Sequence, residues 1–172
     1  MGGRIARPRP TRAERPASRP ATARKTNPVR PASTSTSGIN SYAKALRYLS
    51  SLNDFERLRI VRYNTQNFDL ERMATLLKKL GNPQDSFRSV HVAGTKGKGS
   101  TCAMIASMLG ASGYKTALYS SPHLVDVRER MCVNGETISQ ADFTRLVRLI
   151  EPVVKRMKPT PTYFDVLTAI AF

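Results

Sequence analysis

Residues 89–109 read "SVHVAGTKGKGSTCAMIASML", and the order of residue types in this stretch decides the fold class. Ser89 to Ala93 is short, apolar and partly β-branched, which predicts a strand. Gly94 to Gly99 is a knot of glycines and lysines. Ser100 to Ala111 has helical spacing, and Gly113 predicts its end. A strand that enters a glycine-rich loop and leaves as a helix is a phosphate-cradling arrangement. The first helical N–H groups lack partners, the helix dipole adds positive potential, and glycines let the backbone approach an anion closely. A lysine there reaches terminal phosphates, and a hydroxyl on the first turn suits magnesium. The general phosphate-loop pattern fits imperfectly, because Val92 stands at its first glycine position and Gly99 follows Lys98. The bland alternative is a flexible glycine-rich turn.

Outward from this loop the chain alternates strand and helix. Helices are predicted around residues 40–52 and over "NFDLERMATLLKKLGNP". In the latter Asn67 or Asp69 caps, Leu70, Met73, Leu76, Leu77 and Leu80 form one face, and Gly81 and Pro83 terminate. Lys115 to Tyr119 reads as a second strand. "RMCVNGETI" reads as a hairpin turned at Asn134-Gly135. Ser139 opens a long helix with Asp142 three residues on, and its face is Phe143, Leu146, Val147, Ile150, Val153, Val154 and Met157. Pro152 should bend it. A last helix starts near Thr162. The expectation is an α/β domain with a mostly parallel sheet in three layers.

The chain has 172 residues and a net charge of +16. Nine basic residues and one acid precede Gly38, leaving 19 basic and 11 acidic in the rest, so tail and body each carry +8. Residues 1–38, rich in Arg, Pro, Ala, Ser and Thr, cannot bury enough surface to offset their ordering, so a disordered tail is expected. An organelle-targeting role is open to it, though its prolines oppose an amphipathic helix. The tail has no interleaved aromatics for base stacking, so a nucleic-acid partner is not expected. From two cysteines without paired spacing, neither a disulfide framework nor a zinc site follows. No apolar run approaches a membrane span, and a cytoplasmic monomer is expected. The sequence stops at Phe172 inside the apolar run "DVLTAIAF", which reads as an incomplete piece of a longer domain.

The departure from the general loop carries a resemblance. "VHVAGTKGKGST" with "YSSPHL" resembles the folylpolyglutamate synthase/dihydrofolate synthase family, within the Mur-type ATP-dependent amide ligases. Gly94 to Ser100 matches the family loop position by position, including the glycine after the lysine. "YSSPHLVDVRERMCVNGETIS" and "PTYFDVLTAIAF" resemble two further family segments, so the likeness spans about residues 40–172.

The resemblance implies a reaction and a set of site residues. ATP phosphates would be held by Gly94, Thr95, Lys96, Gly97, Lys98, Gly99 and Ser100, with Lys98 neutralising β/γ charge. Ser121 would be a magnesium ligand, unless "SSPH" is an ordinary turn. Thr162, Tyr163, Phe164 and Asp165 would meet the pterin end of folate or dihydropteroate. Thr162 and Asp165 also have capping-box spacing, and the aromatics could be core. Arg128 and Arg130 could meet a polyanionic substrate or be surface strand charges. ATP would phosphorylate the pteroate or folate carboxylate, and the amine of L-glutamate would displace phosphate. Residues 39–172 would be the N-terminal part of the ATP-binding domain, inactive without the remainder. The rivals are a cell-wall peptide ligase of the same group and a non-catalytic nucleotide- or nucleic-acid-binding module.

Overall fold

The computed structural model describes residues 38–55 and 69–172. Residues 1–37 of the predicted tail, and Asn67 as a possible cap, lie outside the described residues. The chain is α/β, with helices outnumbering a small sheet. The helices are α1 (Tyr42–Ser50), α2 (Leu70–Lys79), α3 (Lys98–Ala111), α4 (Gln140–Lys155) and α5 (Tyr163–Ala171). The strands are β1 (Ala117–Tyr119), β2 (Met131–Val133) and β3 (Glu136–Thr137), and 3₁₀ turns cover Pro83–Ser86 and Val127–Arg130. No described helix is long and apolar enough to cross a membrane.

The helix ends follow their sequence signals. Asp69 caps α2 by accepting the Glu71 N–H. Gly81, at φ 88°, closes it, with the Asn82 N–H returning to the Leu77 carbonyl at 2.8 Å. Gly113, at φ 84°, closes α3 in the same way, with the Tyr114 N–H on the Leu109 carbonyl. Ser139 caps α4 through the Asp142 N–H, and the helix runs through Pro152 without interruption. Asp142 uses its carboxylate on the Ser139 hydroxyl, at 2.7 Å.

The core lies among the helices. Phe143, Val147, Ile150 and Val154 of α4 meet Ala45 and Leu49 of α1, Leu76 and Leu77 of α2, and Val166, Leu167 and Ile170 of α5. The predicted face of α4 is therefore the buried one. That of α2 is shifted: Leu70 is 86% exposed, while Arg72 is buried in its stead because it pairs with Asp165 of α5.

Among the described residues the sheet differs from the sequence reading at two points. Its three strands run antiparallel in the order β1-β2-β3, so no parallel pairing occurs among the described residues. The reason is local: Asn134 (φ 51°) and Gly135 (φ 84°) form a two-residue turn of the hairpin kind, and the 120–130 loop turns β2 back along β1. Second, Ser89 to Ala93 forms no strand. A strand needs a neighbouring backbone about 4.8 Å away, and these residues make no ladder bond among the described residues. Val90 stays 66% exposed, and α3 buries none of its residues.

Candidate functional site

The glycine–lysine loop folds as a helix entry. Gly97 stands at the N-cap of α3 with φ 74°, in the left-handed region that glycine adopts without penalty. It has no side chain with which to cap the helix, so the amides of Lys98, Gly99 and Ser100 begin α3 without one. α3 thus starts two residues before the predicted Ser100. The Lys98 side chain folds back over the loop, its Nζ donating to the Gly94 carbonyl at 2.7 Å. A cation and a helix start whose first amides donate to no partner among the described residues therefore lie together on one exposed loop. The chemistry of that set is anion binding.

Ser121 is exposed at the end of β1, in a turn with a cis peptide to Pro122. Magnesium prefers hard oxygens and few protein ligands. The described residues contain no cluster of three His, Cys, Asp or Glu that would hold a metal ion. A single exposed hydroxyl at Ser121, with another at Ser100, fits an ion that arrives on phosphate oxygens and keeps much of its water.

The turn at Ser121 is braced from behind. Glu129 accepts three successive amides, those of Leu124 (2.8 Å), Val125 (3.0 Å) and Asp126 (2.7 Å), and these bonds hold its carboxyl below the usual range. Asp126 and Glu129 make a reciprocal capping box. Arg128 grips the Asp126 carboxylate, and Tyr42 of α1 donates to Asp126 Oδ1 at 2.6 Å. The Arg128 hydrogen bonds pull the Asp126 pKa down to about 2, against burial, which raises it. Burial and the Asp126 hydrogen bond push Tyr42 up to about 12. Arg130 is buried, donates from Nε to His123 Nδ1 at 2.8 Å, and lies over the Tyr163 ring at 5.9 Å. Neither arginine is the surface strand charge that the sequence allowed, because both sit in the 3₁₀ turn and point into partners.

Thr162 to Asp165 form the first turn of α5. Thr162, Tyr163 and Asp165 are buried, and Phe164 is 43% exposed, its ring 6.4 Å from that of Tyr119. The capping box is formed: the Asp165 N–H donates to Thr162 Oγ1 at 3.1 Å, and Asp165 Oδ2 accepts the Thr162 N–H at 2.8 Å. The same Oδ2 accepts Arg72 Nε at 2.6 Å.

The fold thus joins the Ser121 turn to the start of α5, through Arg130 and through Tyr119. No hydrogen bond links Gly94–Ser100 to either among the described residues. The bracing set was missed at the sequence level. The Asp-x-x-Glu spacing of Asp126 and Glu129 was its visible signal, whereas the Arg72–Asp165 pair, 93 residues apart, left none.

No family model matches the chain. The dihydrofolate synthase/folylpolyglutamate synthase of Bacillus subtilis is 44% identical over 107 residues, covering 60% of this chain and 25% of the relative. The Mycobacterium tuberculosis folylpolyglutamate synthase complexed with ADP matches in structure with a TM-score of 0.65 and 32% identity, over 77% of this chain and 29% of that one. A folylpolyglutamate synthase–AMPPCP–folate complex matches with a TM-score of 0.65 and 33% identity, over 76% and 31%. The curated homologues and structural neighbours are folylpolyglutamate and dihydrofolate synthases, and the chain spans about a quarter of the length of the curated relatives it matches.

Proposed function

We propose that the chain supplies the nucleotide-binding part of an ATP-dependent ligase that joins L-glutamate to a pteroate or folate carboxylate. In this reading residues 39–172 are the N-terminal part of a Mur-ligase-like three-layer domain, and the parallel strands expected of it would stand beside the three antiparallel strands described here. The enzyme works as a cytoplasmic monomer. Its substrates are ATP, L-glutamate and folate or dihydropteroate.

The observation that carries the reading is the loop Gly94–Ser100, with Gly97 in a left-handed N-cap and Lys98 turned across the loop. The amides of Lys98, Gly99 and Ser100 take phosphate oxygens, with the backbone of Thr95 and Lys96 completing the cradle. Lys98 Nζ exchanges the Gly94 carbonyl for a β/γ-phosphate oxygen, so its charge is already aimed when nucleotide arrives. Magnesium, when bound, supplies further charge neutralisation, and Ser121 is the residue that would ligate it.

Phe164 offers an exposed face for a flat heterocycle. Asp165 Oδ1 accepts no bond among the described residues and is left to receive an amino N–H. The carboxylate oxygen of the pteroyl substrate attacks the γ-phosphorus as the bond to ADP breaks. The glutamate amine then forms the amide as phosphate leaves. These residues act by positioning and charge complementarity.

Titration of AMPPCP with magnesium into the chain and into Lys98→Ala tests the reading. Loss of a charge-assisted bond weakens nucleotide uptake roughly 10–100-fold. Equal affinity, with the helical circular dichroism unchanged, would sink it.

A further inference from the structure

Arg130 occupies an unusual place for a charged residue. It is 2% exposed and bonds to the Ser121 turn on both sides. Its carbonyl accepts the Ser120 N–H at 2.9 Å, and its Nε donates to His123 Nδ1 at 2.8 Å. Ser121 and Pro122 are the two residues between those bonds. The guanidinium carbon lies 5.9 Å from the ring centroid of Tyr163, the first residue of α5, a distance at which a cation and an aromatic face attract. Tyr163 is itself held, its N–H donating to the Asn53 carbonyl at 2.9 Å. A planar group with fixed donors, set over an aromatic ring of one element and bonded to another, transmits displacement between them. A flexible ammonium would not.

We infer that Arg130 is a positioning residue that couples the Ser121–Pro122–His123 turn to the first turn of α5. Resting on the function proposed above, the coupling keeps the magnesium-side hydroxyl of Ser121 in register with the pteroyl-side residues Thr162 to Asp165. Binding at one then steadies the other. His123 serves as the acceptor through which Arg130 holds the turn, so its ring proton resides on Nε2.

The test uses the whole chain, with Arg130→Lys, His123→Leu and His123→Asn. Lys keeps the charge but loses the plane. Leu at half-buried His123 removes the acceptor together with the rest of the imidazole, and Asn returns an acceptor near the Nδ1 position. Amide exchange is read at Ser120 and Leu124 in the turn and at Asp165 and Val166 in α5. Loss of one bond to a charged group should speed exchange at both places roughly tenfold in Arg130→Lys and His123→Leu, and His123→Asn should restore it to within about threefold. Unchanged exchange at Asp165 and Val166 in His123→Leu would overturn the coupling.

The second readout is the factor by which magnesium–AMPPCP tightens pteroate binding. It should fall to about one in His123→Leu and return in His123→Asn. A factor unmoved by His123→Leu also overturns the inference. A parent chain that takes up neither ligand overturns the proposed function instead, and the exchange readout still decides Arg130.

Discussion

Asp126 shows how a single side chain anchors the region behind the candidate site. Its carboxylate receives Arg128 and Tyr42 together, which binds the 3₁₀ turn to α1. Its folded pKa of about 2 lies below the ordinary 3.8, so folding favours the charged form. That stabilisation is complete above about pH 4 and is lost as pH falls toward 2. Asp126→Asn should therefore cost about 1–2 kcal/mol at neutral pH, allowing for partial exposure. It should also flatten the stability profile between about pH 4 and 2. Urea unfolding at stepped pH measures both, and a profile as steep as the parent's would contradict the assignment. Asp165 makes the opposite point about reading roles from residue type. An acid expected at a substrate also caps α5 and pairs with buried Arg72, so one of its oxygens is structural whatever the other does.

At the scale of elements, the β2–β3 hairpin depends on the backbone conformation of its turn. A Cβ built on Gly135 meets nothing within 4 Å, so Gly135→Ala adds no clash. The cost is the left-handed backbone alone, about 1–2 kcal/mol, and a denaturant midpoint measures it. A smaller change than about 0.5 kcal/mol would mean that the turn had rearranged.

This hairpin was legible in advance because Asn-Gly between β-prone runs is local chemistry. The caps at Ser139 and Thr162 and the glycine stops at Gly81 and Gly113 were legible for the same reason. Periodicity also found the buried face of α4. What failed was pairing. Ser89 to Ala93 has strand composition, but composition cannot provide the neighbour a ladder needs, and the antiparallel sense of β1 depends on the 120–130 loop that follows it. Arg72 in place of Leu70 on the buried side of α2 required knowledge of a partner on α5. The glycine–lysine loop was readable because the role proposed for it rests on consecutive backbone positions. The bracing of Ser121 was not, because it is assembled from α1, the 3₁₀ turn and α5.

Across the whole molecule, apolar burial is uneven. α4 carries Phe143 and Val147 at 0% exposure, whereas α3 leaves Met104 and Met108 more than half exposed and packs mainly on β1. A helix apolar on several sides gains little from such contact. Native-state amide exchange should show α3 opening at a free energy about 2 kcal/mol or more below that of α4. Equal protection would mean that α3 shares the helical core's cooperativity.

The turn between β2 and β3 has a further consequence for the protein's chemical ageing. Asn followed by Gly is the dipeptide most open to deamidation, since the unhindered glycine nitrogen can attack the side-chain amide and close a succinimide. Here the Asn134 Oδ1 accepts the Thr116 N–H at 3.0 Å, and the Asn134 N–H donates back to the Thr116 carbonyl at 2.8 Å. That two-way clasp ties the side-chain amide to Thr116 and restrains the rotation that ring closure requires. The shelf life of this bond is therefore governed by how often the ribbon frays, not by how exposed its tip is.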